Sequence, residues 1–186
     1  PCILIDIGTN GEIVLGNKDF LVACAASAGP AFEGSGVTSG MRAASGAIQK
    51  IEINKKDFSV HYSTIQDKKP RGICGSGYID LLAAMLNAGI IDKGGKIKAT
   101  GARIRATDAG KEFVVCFKDE TDLDADIVIN EADIENLKRS KGAIYSATAI
   151  LVKHLGLQLS SISKIFIAGG FGTYLDIENA IKIGLL

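Results

Sequence analysis

Tryptophan is absent from this sequence, histidine occurs only twice, and neither sign of charge is in excess. Lysine plus arginine and aspartate plus glutamate number 21 each. That balance gives no general electrostatic attraction for nucleic acid or for an anionic membrane. No run approaches the roughly 20 consecutive apolar residues of a membrane-spanning helix. No signal peptide is visible either, so a cytoplasmic location is the expectation. The four cysteines, Cys2, Cys24, Cys74 and Cys116, include no CxxC or other close pair, which argues against a local zinc or iron–sulfur site. Cys2, Cys24 and Cys116 fall in apolar, strand-like runs, where a thiol behaves as a small hydrophobe. Cys74 differs in lying in a glycine loop. His61 and His154 are isolated, and neither reads as catalytic.

What is present is a globular composition. Apolar residues make up 47% of 186, enough for one good core or two small ones. The 22 glycines point to many tight turns. The chain runs from Pro1-Cys2 straight into a strand and stops at Leu186 without a tail, so a piece of a longer protein is expected.

The chain is organised around its first hairpin, Ile3 to Gly16. An apolar run ends in Asp6, Gly8 and Gly11 bracket Thr9-Asn10, and a second apolar run follows. Asn10-Gly11 between apolar runs is a strong hairpin signal. The glycines let the main chain approach a ligand, and a tight turn with free N–H groups is a concavity for an anion. The chemistry this suggests is a phosphate cradle in which Asp6 holds Mg²⁺ through water. The plainer reading is a surface hairpin with a polar tip.

Residues 2–7, 12–16 and 20–25 read as three consecutive strands. The following loop, Ala26–Gly36, is rich in small residues and open to approach. A short helix is expected around Met41-Arg42. Residues 47–53 and 58–63 alternate as a β pair about a turn at 54–57. A second glycine cluster, 70–78, opens a helix over roughly 76–88, with Ile79, Leu82, Ala83 and Leu86 on one face and Gly89 as the stop. Gly75 and Gly77 before a helix N-terminus form a second candidate phosphate cradle, or simply a tight entry to a packed helix. Residues 92–129 read as a β-rich excursion, with strands at 103–107, 112–117 and 127–129. Asn130 caps a long helix over about 131–155, with Asp133 at the third position. A buried strand at 163–168 then runs into Gly169-Gly170-Phe171-Gly172 and a final helix over about 174–182. A strand ending in a diglycine before a helix is a nucleotide-binding arrangement in open α/β sheets.

Three hairpin strands, a helix, inserted β structure, a long helix and strand–GGxG–helix resemble in their order an α/β, RNase H-like lobe. Two such lobes make the actin, Hsp70 and sugar-kinase (ASKHA) fold. Asp6 to Glu12 is similar to a phosphate motif of that superfamily and Phe166 to Gly172 to its adenosine motif. The resemblance implies one lobe across residues 1–186, with a β-rich insertion, whose companion lobe carries the other phosphate hairpin. The finer resemblance is to the C-terminal domain of ATP-dependent reductive activators of corrinoid proteins. It rests on DIGTNGEIVLGN at 6–17, AGPAFEG at 28–34, GMRA at 40–43, RGICGSGYID at 71–80 and IAGGFG at 167–172. It implies ATP and Mg²⁺ as ligands and a ferredoxin-type iron–sulfur cluster elsewhere in the polypeptide. It also implies a corrinoid protein of a methyltransferase system as partner, reduced from Co(II) to Co(I), and leaves room for a homodimer. By that resemblance Asp6 is the Mg²⁺-water residue, Gly8, Thr9, Asn10 and Gly11 are phosphate contacts, and Gly169 and Gly170 are adenosine contacts. The hairpin departs from the fuller DxGGGTxD form of Hsp70-like members.

Glu135, Lys138 and Arg139 resemble the ExxKR stretch with which Hsp70-like proteins hold adenosine. Their spacing is equally that of ordinary i,i+3 and i,i+4 surface pairs. In the loop after the third strand, Ser27 and Gly29 are the candidates for facing the corrinoid partner. Two alternatives from other classes use the same residues: a small-molecule kinase of the superfamily, and a partner-binding module that has lost the nucleotide. Nucleotide titration and cobalt reduction separate the three.

Overall fold

A computed structural model describes residues 1–108 and 110–186. Its first three strands are β1 (Cys2–Ile7), β2 (Gly11–Gly16) and β3 (Leu21–Ala26). They form an antiparallel meander in which β1 also takes a parallel partner, β10 (Lys164–Ala168). The sheet order β10-β1-β2-β3 is the pattern implied by the RNase H-like resemblance. Period-two alternation sends Ile3, Ile5, Ile7, Ile13 and Leu15 to one buried face. The long helix α2 (Glu131–His154) lies across β2 and β3 on that face and supplies Ile144, Leu151 and Val152 to the core. Each such buried aliphatic side chain contributes about 1.5–3 kcal/mol.

Asn130 caps α2 as its sequence suggests. Its side chain accepts from the Asp133 amide at 2.8 Å, and Asp133 accepts in return from the Asn130 amide at 3.1 Å. Asp133 does more than complete the box. It is buried and accepts from both the amide (2.8 Å) and the hydroxyl (3.1 Å) of Thr38. The cap therefore ties the glycine-rich segment 34–40 to the start of α2.

The inserted region holds two further three-stranded sheets. One is β4 (Ala47–Ile53) between β5 (Val60–Thr64) and the two-residue β6 (Gly72–Ile73). The other is β7 (Ile104–Thr107), β8 (Gly110–Cys116) and β9 (Ile127–Asn130), antiparallel throughout. Helix α1 (Gly75–Asn87) packs on β4. Its residues 75–83 are buried without interruption, where the sequence pattern predicts one apolar face. The 3₁₀ turn Pro30–Glu33 and the helix α4 (Ile177–Lys182) cover the remaining sides.

Four expectations change. The last strand is not buried: β10 is the edge of its sheet, and Lys164, Ile165 and Phe166 are exposed. No helix forms around Met41-Arg42. The Met41 amide donates to the Ile73 carbonyl at 3.0 Å and the Ile73 amide to that of Ser39 at 2.8 Å, so this segment lies extended against β6. The second inserted strand starts at Val60 because Phe58 takes a left-handed conformation (φ 59°) and prolongs the turn. The final helix is two helices, α3 (Gly169–Tyr174) and α4, because Leu175 is extended and the Asp176 side chain starts a new cap on the Asn179 amide at 3.0 Å.

Asp80 links α1 to α4 by accepting from Asn179 Nδ2 at 2.8 Å. It is 5% exposed. Burial pushes its carboxyl up, the nearby Asp176 adds to this, and the Asn179 and Ile51 hydrogen bonds and Lys50 oppose it. A raised folded-state pKa means that the folded chain holds the proton more tightly than the unfolded chain. The stability involved is present below the ordinary aspartate range and is lost as pH rises through the folded value. Asp80→Asn keeps an acceptor for Asn179 and removes the charge. It is expected to melt about 2–4 °C above the parent at pH 7, with the gap closing toward pH 4. Parallel melting curves across that range would exclude this role.

Candidate functional site

The first and last sequence motifs meet at the carboxyl ends of β1 and β10. The parallel register pairs Asp6 with Ala168, so the Asp6 side chain stands level with the diglycine. Gly169 is left-handed (φ 76°). A Cβ built on it would overlap Asp6 Oδ1 and would lie 3.0 Å from Cγ. Only glycine lets the main chain at the start of α3 come this close to the carboxylate. Asp6 is half-buried, and its side chain takes part in none of the side-chain hydrogen bonds or ion pairs of the described residues. Its neighbour Gly170 has open space where a side chain would begin.

The hairpin tip is built differently from its sequence signature. Ile7 pairs with Gly11, so the turn is Gly8-Thr9-Asn10, and none of these three residues has a positive φ. Gly11 belongs to β2, where a Cβ would sit 3.1 Å from Ile144 Cγ1 of α2. It is a packing glycine. Gly8 turns its amide inward to the Asn10 carbonyl at 3.0 Å. Thr9 and Asn10 form the exposed tip. The Thr9 hydroxyl donates to Glu33 Oε1 at 2.9 Å, and the Gly29 amide donates to the Thr9 carbonyl at 2.9 Å. The loop after β3 therefore clasps the hairpin tip.

Glu33 also lines a cleft of about 320 Å³. Its walls are Phe32 and Glu33 from the 3₁₀ turn, Met41 to Ala43, the first residues of α1, and Gly170, Phe171 and Tyr174. The Phe32 and Phe171 rings pack with centroids 5.7 Å apart. Gly75 makes this convergence possible: a Cβ there would overlap the Phe32 carbonyl and lie 2.7 Å from the Phe171 ring. No side chain caps α1 at Cys74, so its first-turn amides end at the cleft, where they favour negative charge. Gly77 does not line the cleft; it is buried with its missing Cβ against the Ile48 carbonyl. Cys74 is buried, with Sγ 3.3 Å from the Ile48 carbonyl.

The remaining candidates stand elsewhere. Glu135 pairs with Lys138 at 2.8 Å and Arg139 at 3.9 Å, and the Lys138 hydrogen bond holds the exposed Glu135 carboxyl below its usual range. Lys138 also donates to the Gly94 carbonyl at 2.8 Å. None of the three lines the cleft at Gly170. Arg139 instead shares a hollow of about 220 Å³ with Gly29, Pro30 and Asn136. The structure thus brings Asp6 to Gly169, Thr9 to Glu33 and Gly29, and Gly75 to Gly170, and leaves the ENLKR cluster apart. Ser27 is exposed beside the hairpin tip. Among the described residues no group of three or more His, Cys, Asp or Glu could hold a metal ion. A lone carboxylate such as Asp6 fits Mg²⁺, which keeps several waters and shares its ligands with phosphates. Among the described residues no helix is long and apolar enough to cross a membrane.

Comparison with known proteins matches residues 1–186 to a family described as the C-terminal domain of RACo, the ASKHA domain. The chain is 37% identical over 193 residues to a corrinoid activation enzyme, RamQ, of Eubacterium limosum, covering 99% of this chain and 32% of that protein. It is 29% identical over 204 residues to a [Co(II) methylated amine-specific corrinoid protein] reductase of Methanosarcina barkeri, covering 99% and 34%. A solved structure of a reductive activator for corrinoid, iron–sulfur protein superposes with a TM-score of 0.94 at 53% identity, covering all of this chain and 30% of that one. The chain therefore spans about a third of the length of the relatives it matches.

Proposed function

The chain belongs to the family of RACo C-terminal ASKHA domains, and from that premise we propose that it is the ATP-binding lobe of a larger reductive activator that drives a corrinoid protein from Co(II) to Co(I). The observation that carries the proposal is the contact of Asp6 with Gly169, because it joins a phosphate-type hairpin to a nucleoside-type diglycine at one point. In this reading Asp6 holds Mg²⁺ through water. The Thr9 main-chain amide and Asn10 donate to phosphate, while the Thr9 hydroxyl stays on Glu33 and the Gly29 amide holds the Thr9 carbonyl, which fixes the tip. Gly8 and Gly11 serve the same hairpin by shaping its turn and seating it on α2.

Gly169 and Gly170 let adenosine approach the main chain, and the cleft walled by Phe32, Gly75 and Phe171 receives its apolar face. Bound Mg²⁺ supplies charge compensation at the phosphates. Gly77, buried against β4, and Glu135, Lys138 and Arg139, which do not line the cleft, stay outside this set. The electron comes from an iron–sulfur module elsewhere in the polypeptide. Ser27 and Gly29, on the loop that clasps the hairpin, face the corrinoid protein. The site thus acts in the cytoplasm, where ATP and reductant are supplied.

The test uses the full-length protein with its corrinoid partner and an electron donor. Loss of the Co(II) absorbance is expected only when Mg²⁺–ATP is present, and hydrogen exchange is expected to slow across 26–36 in the complex. Reduction that proceeds equally without ATP refutes the nucleotide role. Unchanged exchange at 26–36 refutes the partner role of the loop.

A further inference from the structure

On another side of Phe32 from the nucleotide cleft lies a second cavity, of about 310 Å³. Its floor is apolar: Leu82 and Leu86 of α1, Leu137 of α2 and Ile183 after α4. Its rim is cationic. Lys93, Lys141 and Lys182, from three different segments, stand round the opening, and none forms an ion pair or hydrogen bond among the described residues. Lys141 Nζ reaches over the main chain at Gly184, 3.1 Å from where a Cβ would lie. The fourth rim lysine, Lys138, is already engaged by Glu135 and by the Gly94 carbonyl. The one acidic lining residue, Asp92, is spent as well: it accepts from the amides of Gly94 and Lys96 and pairs with Lys98 at 3.3 Å. In a chain of balanced charge, three uncommitted ammonium groups around one apolar hollow are a local excess that no ion pair among the described residues neutralises.

We propose that this cavity binds a small amphipathic anion, with an apolar or aromatic body on Leu82, Leu86 and Leu137 and a phosphate, sulfonate or carboxylate head among Lys93, Lys141 and Lys182. The volume lies at the low end for small-molecule sites, and a concave apolar wall with a few convergent polar groups is the common form of such sites. Lysine suits the head because it offers three donors from a movable point charge. The site is separate from the nucleotide cleft, sharing only Phe32 as a wall.

The experiment titrates the full-length protein with 8-anilinonaphthalene-1-sulfonate, an aromatic body with one anionic head. One bound probe per chain is expected. The double variant Lys141→Glu/Lys182→Glu should weaken it by about tenfold or more, while the melting temperature stays within about 2 °C. The triple variant Lys93→Gln/Lys141→Gln/Lys182→Gln gives a second reading without charge reversal and should also weaken it. The uncharged analogue N-phenyl-1-naphthylamine should bind more weakly than the sulfonate, and saturating Mg²⁺–ATP should not displace the probe. Equal affinity for both probes, unchanged affinity in both variants, displacement by Mg²⁺–ATP, or no saturable binding because another part of the chain fills the cavity would each overturn the proposal.

Discussion

Asp6→Asn in the full-length protein is expected to lower ATP hydrolysis and ATP-driven cobalt reduction by about 100-fold or more, with the melting temperature changed by no more than about 2 °C. The two halves of this expectation have separate causes. Asparagine has nearly the same shape as aspartate, and the Asp6 carboxylate supports no hydrogen bond or ion pair among the described residues, so the fold loses little. What is removed is the negative charge at the mouth between β1 and β10. A cation shared with phosphates needs that charge, and a neutral amide presents a poorer ligand to the waters around Mg²⁺. Nucleotide affinity measured without Mg²⁺ should be almost unchanged, while affinity with Mg²⁺ falls. Parent-like turnover in a well-folded Asp6→Asn protein would remove Asp6 from the site.

Much of this architecture was legible because the signals are local. The β1–β2–β3 meander follows from period-two alternation interrupted by short polar turns. The start of α2 follows from Asn130 and Asp133, whose reciprocal hydrogen bonds need only a three-residue spacing. Other features depend on partners distant in sequence. Glu33 is the clearest case: Thr9 finds it across 24 residues, and nothing in AGPAFEG marks its carboxylate as a support for the hairpin. Met41-Arg42 read as helical because its own residues permit a helix. The bonds it makes to Ile73 win instead, since they extend a sheet that already exists.

Asn10-Gly11 marks the hairpin, and β1 and β2 pair as it predicts. What the dipeptide does not show is that Gly11 itself lies in β2, where a Cβ would crowd Ile144 of α2. The ENLKR cluster has the local spacing of an adenosine grip, yet α2 is rotated so that it faces the 92–96 turn and the Gly29 hollow. In each instance the residue types were readable and the element they would face was not.

Gly169→Ala should reproduce most of the Asp6→Asn defect without touching a charged group. At φ 76° an alanine pays for the left-handed conformation, about 1 kcal/mol, and this should lower the melting temperature by roughly 2–4 °C. The larger effect is steric. The new methyl group would occupy the place of Asp6 Oδ1, so either the carboxylate swings away or the start of α3 shifts from β1. Both movements separate the Mg²⁺ ligand from the diglycine, and turnover should fall to within about threefold of the Asp6→Asn level. Because both substitutions break one junction, the double variant should be little worse than Asp6→Asn alone, a coupling that independent sites would not show. Gly170→Ala supplies the control. Its φ is not positive and a Cβ there meets nothing within 4 Å, so the free protein should melt as the parent does. Any loss of affinity for Mg²⁺–ATP in Gly170→Ala then reports the ligand pressing on that surface. Additive losses in the Asp6→Asn/Gly169→Ala double variant would show that the carboxylate and the diglycine act separately, and the site joined at their contact would have to be abandoned.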